Sequence, residues 1–437
     1  MTVEQRRVLL TAGSNAKGQL GIGSCEDAHI FTPCKFADCE PNQLPASTSR
    51  VFRVACGANH TVLLLEHLDG VVTLWGTGDG QKGQLGPEYE DIEFPLSGSQ
   101  SIFRKFMMPL SASYSHLGYT YKLIAAAWDT TYIVLSCPGK SDVLISMGAN
   151  DFGALGVGEE EGARLANHPS VPRVVSFDGL FADSSKGDIE PLPICIQSLH
   201  AGPRHVIVQL QTVAFDTGLT HSPPILVGWG ASRHGQLGQN VEARFISRPT
   251  RIPINVQQDR MVSCELGNQH TLVLHESGRI SALGSNKQRQ LPLHMEWESA
   301  RKLGCTWNGT YVFLRDGDKR VLLAMGNNAQ GQLGRGDATE PASTSIEAVK
   351  LPAEHTISTF TCGSEHVLVM YGSSEGNSPS VWGWGWNEHG NLGLGTLGNV
   401  ALPTRLWPRE DVEEYSKYPQ KTVSIWAGCA TSWLVVE

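Results

Sequence analysis

Histidines, cysteines and glycine-rich runs are the residues of this chain that could do chemistry, and their spacing decides which chemistry is open to them. Four histidines, His60, His205, His270 and His366, recur at the same place in a repeated string. Gathered at one point they could hold a divalent metal, but a residue repeated once per structural unit is spread around the fold. They are expected to be hydrogen bonders at strand starts. The ten cysteines form no CxxC pair and no Cys/His ladder, so a zinc site has no support. Cys56, Cys264, Cys305 and Cys362 fall instead inside short apolar strings, where cysteine acts as a small buried hydrophobe.

Gly76-Thr77-Gly78 and Gly383-Trp384-Gly385 have the outline of phosphate-binding loops, and Gly139-Lys140-Ser141 that of the end of a P-loop. A phosphate loop must run from a strand into a helix whose amino end holds the anion. Here turn and strand residues follow, and Val134 stands where the first P-loop glycine belongs. No HExxH motif is present either. The expectation is a chain with no catalytic residue, no cofactor and no metal.

The elements that position these residues come from two interlocked repeats. The first string reads GSNAKGQLGIG (13–23), GTGDGQKGQLG (76–86), GANDFGALGVG (148–158) and GWGASRHGQLG (228–238). It returns as GSNKQRQLPL (284–293), GNNAQGQLGRG (326–336) and GWGWNEHGNLGLG (383–395), with Arg289 and Pro292 replacing glycines in the fifth copy. The second string reads ACGANHTVLLL (55–65), AAAWDTTYIVL (125–135), HAGPRHVIVQL (200–210) and ELGNQHTLVLH (265–275). It continues as CTWNGTYVFL (305–314), TCGSEHVLVMY (361–371) and WAGCATSWLVV (426–436). Runs such as TVLLL and TYIVL are β-branched and apolar at strand length, while GSN and GNN are turn chemistry. Each repeat is therefore expected to give four short antiparallel strands, A to D, with QLG on the fourth. Four-stranded sheets repeated around an axis make an all-β propeller, here of seven blades in one domain over 1–437. The chain starts with strands C and D (8–23) and ends with A and B (423–436), so one blade is expected to be completed by both ends, removing free sheet edges.

Alternating strand direction puts the A–B and C–D turns on one short, regular face. The D–A connections 87–122, 159–195, 242–260 and 396–421 fall on the other, where long loops can bind or be tolerated additions. On the regular face the A–B turns offer Trp128, Asp129, Arg204, Trp307, Asn308 and Glu365 as protein-binding residues. Arg233, His234, Trp384 and His389 lie in or beside the C–D turns. A large aromatic in a turn where other copies carry Ala58 or Ser364 is a candidate interface anchor.

A net charge of −9 argues against a nucleic-acid-binding surface. No apolar run approaches membrane-spanning length, and reduced thiols fit the cytoplasm or nucleus. A monomer that contacts neither nucleic acid nor membrane is expected.

The paired signature of CGxxHT followed by WGxNxxGQLG closely resembles the regulator-of-chromosome-condensation repeat, along essentially the whole chain. The family forms seven-bladed propellers, in agreement with the count of strings. Thr130, Gly309 and Thr431 depart from its histidine position. The first blade, GSNAKGQLGIGSCEDAHIFTPCKF, is most similar to the fungal alpha-tubulin suppressor branch, also described through killer-toxin insensitivity. That resemblance implies an adaptor for the small metal-binding electron carrier that serves diphthamide synthesis and Elongator-dependent tRNA wobble-uridine modification. The alternative it implies is a guanine-nucleotide exchange factor for a Ran-type GTPase, the founding function, whose members carry a basic amino-terminal tail that this sequence lacks.

Overall fold

The computed structural model describes residues 7–87, 101–106, 114, 117–158, 171–181, 192–213, 222–238, 243–293, 296–336, 342–352, 356–372 and 379–437. Their strands form seven antiparallel sheets. In the order A to D, blade 1 is Thr48–Cys56, His60–His67, Val72–Gly78 and Arg104–Lys105. Blade 2 is Thr120–Ala126, Thr130–Ser136, Val143–Gly148 and Arg173–Val174. Blade 3 is Ile194–Ala201, His205–Thr212, Ile225–Ala231 and Phe245–Arg251. Blade 4 has Met261–Leu266, His270–His275 and Ile280–Gly284 alone. Blade 5 is Ala300–Cys305, Gly309–Asp316, Lys319–Asn327 and Ala342–Ala348. Blade 6 is Ile357–Cys362, His366–Tyr371, Ser380–Gly385 and Val400–Trp407.

Blade 7 closes the ring from both ends of the chain. Thr422–Ala427 and Thr431–Val436 supply A and B, and Val8–Gly13 and Ala28–Pro33 supply C and D. The joint runs in unbroken register from Val8 opposite Val436 to Gly13 opposite Thr431. The A strands of all seven blades line a central channel. The B strands are buried on both faces between neighbouring blades, which is why HTVLLL and TYIVL are continuously apolar instead of alternating.

QLG is not a strand. It belongs to the tight turn after strand C, and strand D begins several residues later. Consequently the connections 242–260 and 396–421 contain the D strands of blades 3 and 6, while 87–122 and 159–195 fall largely outside the described residues. The turn is built by side chains replacing backbone partners. In five copies the Asn Oδ1 accepts from the Leu amide five residues on, as Asn15 does from Leu20 at 2.9 Å. In five copies the Gln Oε1 accepts from the amide two residues before it, as Gln84 does from Lys82. Two residues per turn must also be left-handed, such as Gly18 (φ 75°) and Gly21 (φ 65°).

Blade 4 carries the worn copy and pays for it in structure. Arg289 takes the left-handed position at φ 58°, a conformation costly for a residue with a Cβ. Pro292 occupies the second position, where its fixed negative φ cannot reproduce the turn. Among the described residues only the single bridge between Arg279 and Glu296 remains beyond strand C.

Neighbouring blades are latched by the same motif. Trp229 Nε1 donates to Ala154 O and Trp384 Nε1 to Gln332 O, each at 2.7 Å and each reaching the C–D turn of the preceding blade. The loop after strand D of blade 6 is likewise tied into the core. Buried Tyr415 accepts from the Phe31 amide and donates to Gly393 O, while its ring packs on Trp407.

Candidate protein-binding face

The regular face starts from the A–B turns, whose Gly-x-x-His sequence has a steric cause. A Cβ on Gly57, Gly267 or Gly363 would overlap the imidazole of His60, His270 or His366. The glycine exists to admit the ring. Each motif imidazole then crosses to the next blade: His60 Nε2 meets Thr131 Oγ1 and His205 Nε2 meets Thr271 Oγ1, both at 2.9 Å. His366 meets Ser432 Oγ at 3.1 Å and His270 meets Thr310 Oγ1 at 3.5 Å. Because Thr131 and Thr271 donate onward to Gln84 O and Gln236 O, these imidazoles must donate from Nε2. Their Nδ1 atoms are buried without a partner. Burial favours the neutral ring, holding His60, His270 and His366 near pKa 4 and His205 near 3. These are bridging hydrogen bonders, as the spacing suggests.

Around the axis, the turns are also joined backbone to backbone. Ala58 N donates to Trp128 O, and Trp128 N to Pro203 O. Asn268 N donates to Trp307 O, Trp307 N to Ser364 O, and Ser364 N to Gly428 O. Pro203 has no N–H to continue the girdle to blade 4, and among the described residues no such bond joins blade 7 to blade 1.

Trp128 and Trp307 are brought together by this arrangement. Their turns come from blades on opposite sides of the axis, and the indoles meet over the channel mouth with ring centroids 5.9 Å apart, tilted by 39°. Trp128 remains 39% exposed. Neither ring packs simply over its own blade, and the pair forms one aromatic surface. Beside it lies a depression of about 470 Å³ reaching from Trp128 and Phe152 across blade 3 to Asn268 and Gln269. Arg204, Arg233 and His234 line it, together with Arg244. The Arg204 guanidinium sits 5.0 Å over the Phe152 ring, a cation–π distance. Burial, Lys287 and Arg233 lower the pKa of His234.

The other predicted residues separate into two groups. Asp129 pairs with Lys82 at 2.6 Å across blades 2 and 1, and His389 Nδ1 lies 2.7 Å from Asp27 Oδ2, across the seam between blades 6 and 7. Both stay partly accessible. Glu365 and Trp384 are corrections. Glu365 is only 7% exposed, and its carboxylate accepts from Asn308 Nδ2 and Gln332 Nε2, both at 2.9 Å. It is an internal brace for blades 5 and 6, and it makes Asn308 a bracing residue too. Trp384 is fully buried as a blade latch. Phe152 and Arg244 went unnoticed in the sequence. The available signal for Phe152 was an aromatic where the other turns have Lys17, Lys82, His234, Gln288, Gln330 and His389.

Below the tryptophans the channel is lined by Cys56, Cys264, Cys305 and Cys362, with Arg53, His200, Glu265 and Lys302 deeper in. Burial raises all four thiols, Cys56 to about 12, so they are unreactive. Burial also raises Glu265 to about 7, against the pull of Lys302 and Arg53. Among the described residues no three His, Cys, Asp or Glu side chains are placed to share a metal. No described helix is long and apolar enough to cross a membrane.

Seven blades with Asn- and Gln-closed turns, joined through His and Trp of one recurrent motif, define a seven-bladed repeat propeller. The family described as "Regulator of chromosome condensation (RCC1) repeat" matches residues 8–64, 227–274 and 380–432. Over 92% of its length it is 26% identical to the mouse secretion-regulating guanine nucleotide exchange factor, of which it covers 79%. Over 98% it is 25% identical to an RCC1 repeat-containing protein of Schizosaccharomyces pombe, of which it covers 99%. Its fold matches that of Prp20p from Saccharomyces cerevisiae with a TM-score of 0.69, 15% identity, and coverage of 99% of this chain and 92% of the other.

Proposed function

We propose that this propeller is a non-catalytic adaptor that docks a protein partner on the face of A–B and C–D turns, centred on the Trp128–Trp307 pair. The observation that carries this reading is the pair itself. Two indoles held over the channel mouth by a backbone girdle, one of them substantially exposed, form a rigid apolar anchor. Such anchors dominate interface energy. Two partners are in view. The likeness of the first blade to the fungal branch supports the small metal-binding electron carrier of diphthamide synthesis and Elongator-dependent tRNA modification. The second reading is a small GTPase: the name of the mouse relative, a guanine nucleotide exchange factor, supports a GTPase partner, and the repeat resemblance supports one of the Ran type.

Capture of each purified candidate by wild type, Trp128→Ala and Trp307→Ala tests the docking face. Loss of an anchor should weaken capture by about 2 kcal/mol or more with little change in melting temperature. Unchanged capture accompanied by a stability loss of roughly 3–5 kcal/mol would make both residues structural. Release of a fluorescent guanine nucleotide from the GTPase separates the two partners. The adaptor reading expects no acceleration, and a large effect at substoichiometric protein would replace it with exchange.

A further inference from the structure

The chain carries a net charge of −9, and a local cluster of cations on it stands out. Here the depression beside the tryptophan pair is lined by Arg204, Arg233 and Arg244 and by no Asp or Glu. None of the three guanidiniums has an ion-pair partner among the described residues, and all three side chains are exposed. Three like charges around one hollow make it a favourable seat for an anion. A second observation points the same way. Phe152 is held in the left-handed region (φ 58°, ψ 26°) and left 40% exposed, an expensive conformation for an aromatic. In that conformation its ring carries Arg204.

We propose that this depression receives an acidic, aromatic-bearing segment of a partner protein, with its carboxylates on Arg204, Arg233 and Arg244 and its apolar side chain between Phe152 and Trp128. Arginine forks match carboxylates in bidentate geometry. A peptide is favoured over nucleic acid because a polyanion needs a basic track that follows many phosphates. Here the cations of neighbouring turns, Lys82 and Lys287, are interrupted by Asp79, Asp151 and Glu388, so no continuous basic track leads from the hollow. The proposal rests on the reading that this face binds protein, and it adds the chemistry of what is bound.

The test uses a fluorescein-labelled heptapeptide of Asp and Glu around a central Phe, titrated by anisotropy with the full chain. Binding should saturate and weaken as salt is added. Arg204→Gln, Arg233→Gln and Arg244→Gln should each weaken it roughly tenfold, and Phe152→Ala less. Because these side chains are exposed, unchanged melting temperatures should accompany the losses. Absence of saturable binding to wild type overturns the proposal, as does binding indifferent to all three arginines. Equally tight binding of a single-stranded oligonucleotide, or of the same peptide with lysines for its acids, also overturns it. The failures are distinguishable. If the tryptophan variants lose partner capture while the arginine variants keep it, the docking face stands and this proposal falls. If capture ignores the tryptophans, the docking face itself is refuted.

Discussion

Acid should unfold this protein within a window that its buried histidines define. His60, His205, His270 and His366 are neutral, buried and bonded through Nε2, and His200 lies in the channel wall with its pKa lowered to about 4. In the unfolded chain each returns to about 6.5. A folded pKa below the unfolded value means the unfolded state takes up the proton first. The contribution of each ring is therefore complete above pH 6.5 and is lost as pH falls towards 4. By pH 5 each loss is about 2 kcal/mol, so the five together lose on the order of 10 kcal/mol. Glu265 works in the opposite sense. Its pKa is raised to about 7, so on acidification the folded state protonates first and regains about 2.5 kcal/mol by pH 5. Glu365, also raised by burial, acts in the same direction. The net loss is still on the order of 5–8 kcal/mol, comparable with the whole stability of a typical domain. Urea unfolding followed by tryptophan fluorescence at pH 7.5, 6.5, 5.5 and 5.0 measures it. The slope of stability against pH near 5.5 should correspond to about three protons taken up on unfolding, and His366→Gln should remove one of them. A stability change below about 2 kcal/mol between pH 7 and 5 would refute the claim that these rings are locked neutral.

Four further outcomes follow from the packing. Gly267→Ala should destabilise by roughly 1–3 kcal/mol in thermal or urea melts, because the new Cβ overlaps the His270 ring. Gly398→Ala, where a Cβ meets nothing within 4 Å, should change stability by no more than about 0.5 kcal/mol. Deleting residues 1–23 removes strand C of blade 7 and exposes the edge of Thr431–Val436. Its calorimetric transition should be broader and lower, and an unchanged transition would rule out closure as a source of cooperativity. A double-mutant cycle on Trp128→Ala and Trp307→Ala should show a coupling of about 0.5–1.5 kcal/mol in stability, and zero coupling would deny the indole contact.

Blade number, closure and the identity of the regular face were legible because the repeat writes one motif residue per blade. Strand D was not. Its sequences, AHIFTP, FISRPTR and VALPTRLW, share a proline followed by a basic and an apolar residue (Lys35-Phe36, Arg251-Ile252, Arg405-Leu406), but a proline argues against a paired strand and suits only an outer edge. The stronger signal of QLG drew the strand to the wrong place. At the site, local sequence identified Trp128 and Trp307 as exceptional but could not say that they touch, because their blades face each other across the ring. Glu365 looked like a turn residue open to solvent. Its burial depends on Asn308 and Gln332, both in the neighbouring blade, a relation that spacing within one string cannot express.

The backbone girdle joins blades 1 to 3 and blades 4 to 7 but omits two rungs, one at Pro203 and one between the last turn and the first. Mechanically that makes the channel mouth an articulated collar, two stiff arcs meeting at two joints. Opening a joint there breaks no backbone bond of the girdle, and between blades 3 and 4 it is the His205–Thr271 side-chain bond that must give. The arginine-lined depression straddles the joint between blades 3 and 4, and a guest seated in it grips both arcs at once. Occupancy would brace the collar at this joint and stiffen the seat of Trp307, whose carbonyl holds Asn268 within the arc of blades 4 to 7. Amide exchange at Asn268 and Trp307 would record that bracing as slowed exchange when the depression is filled.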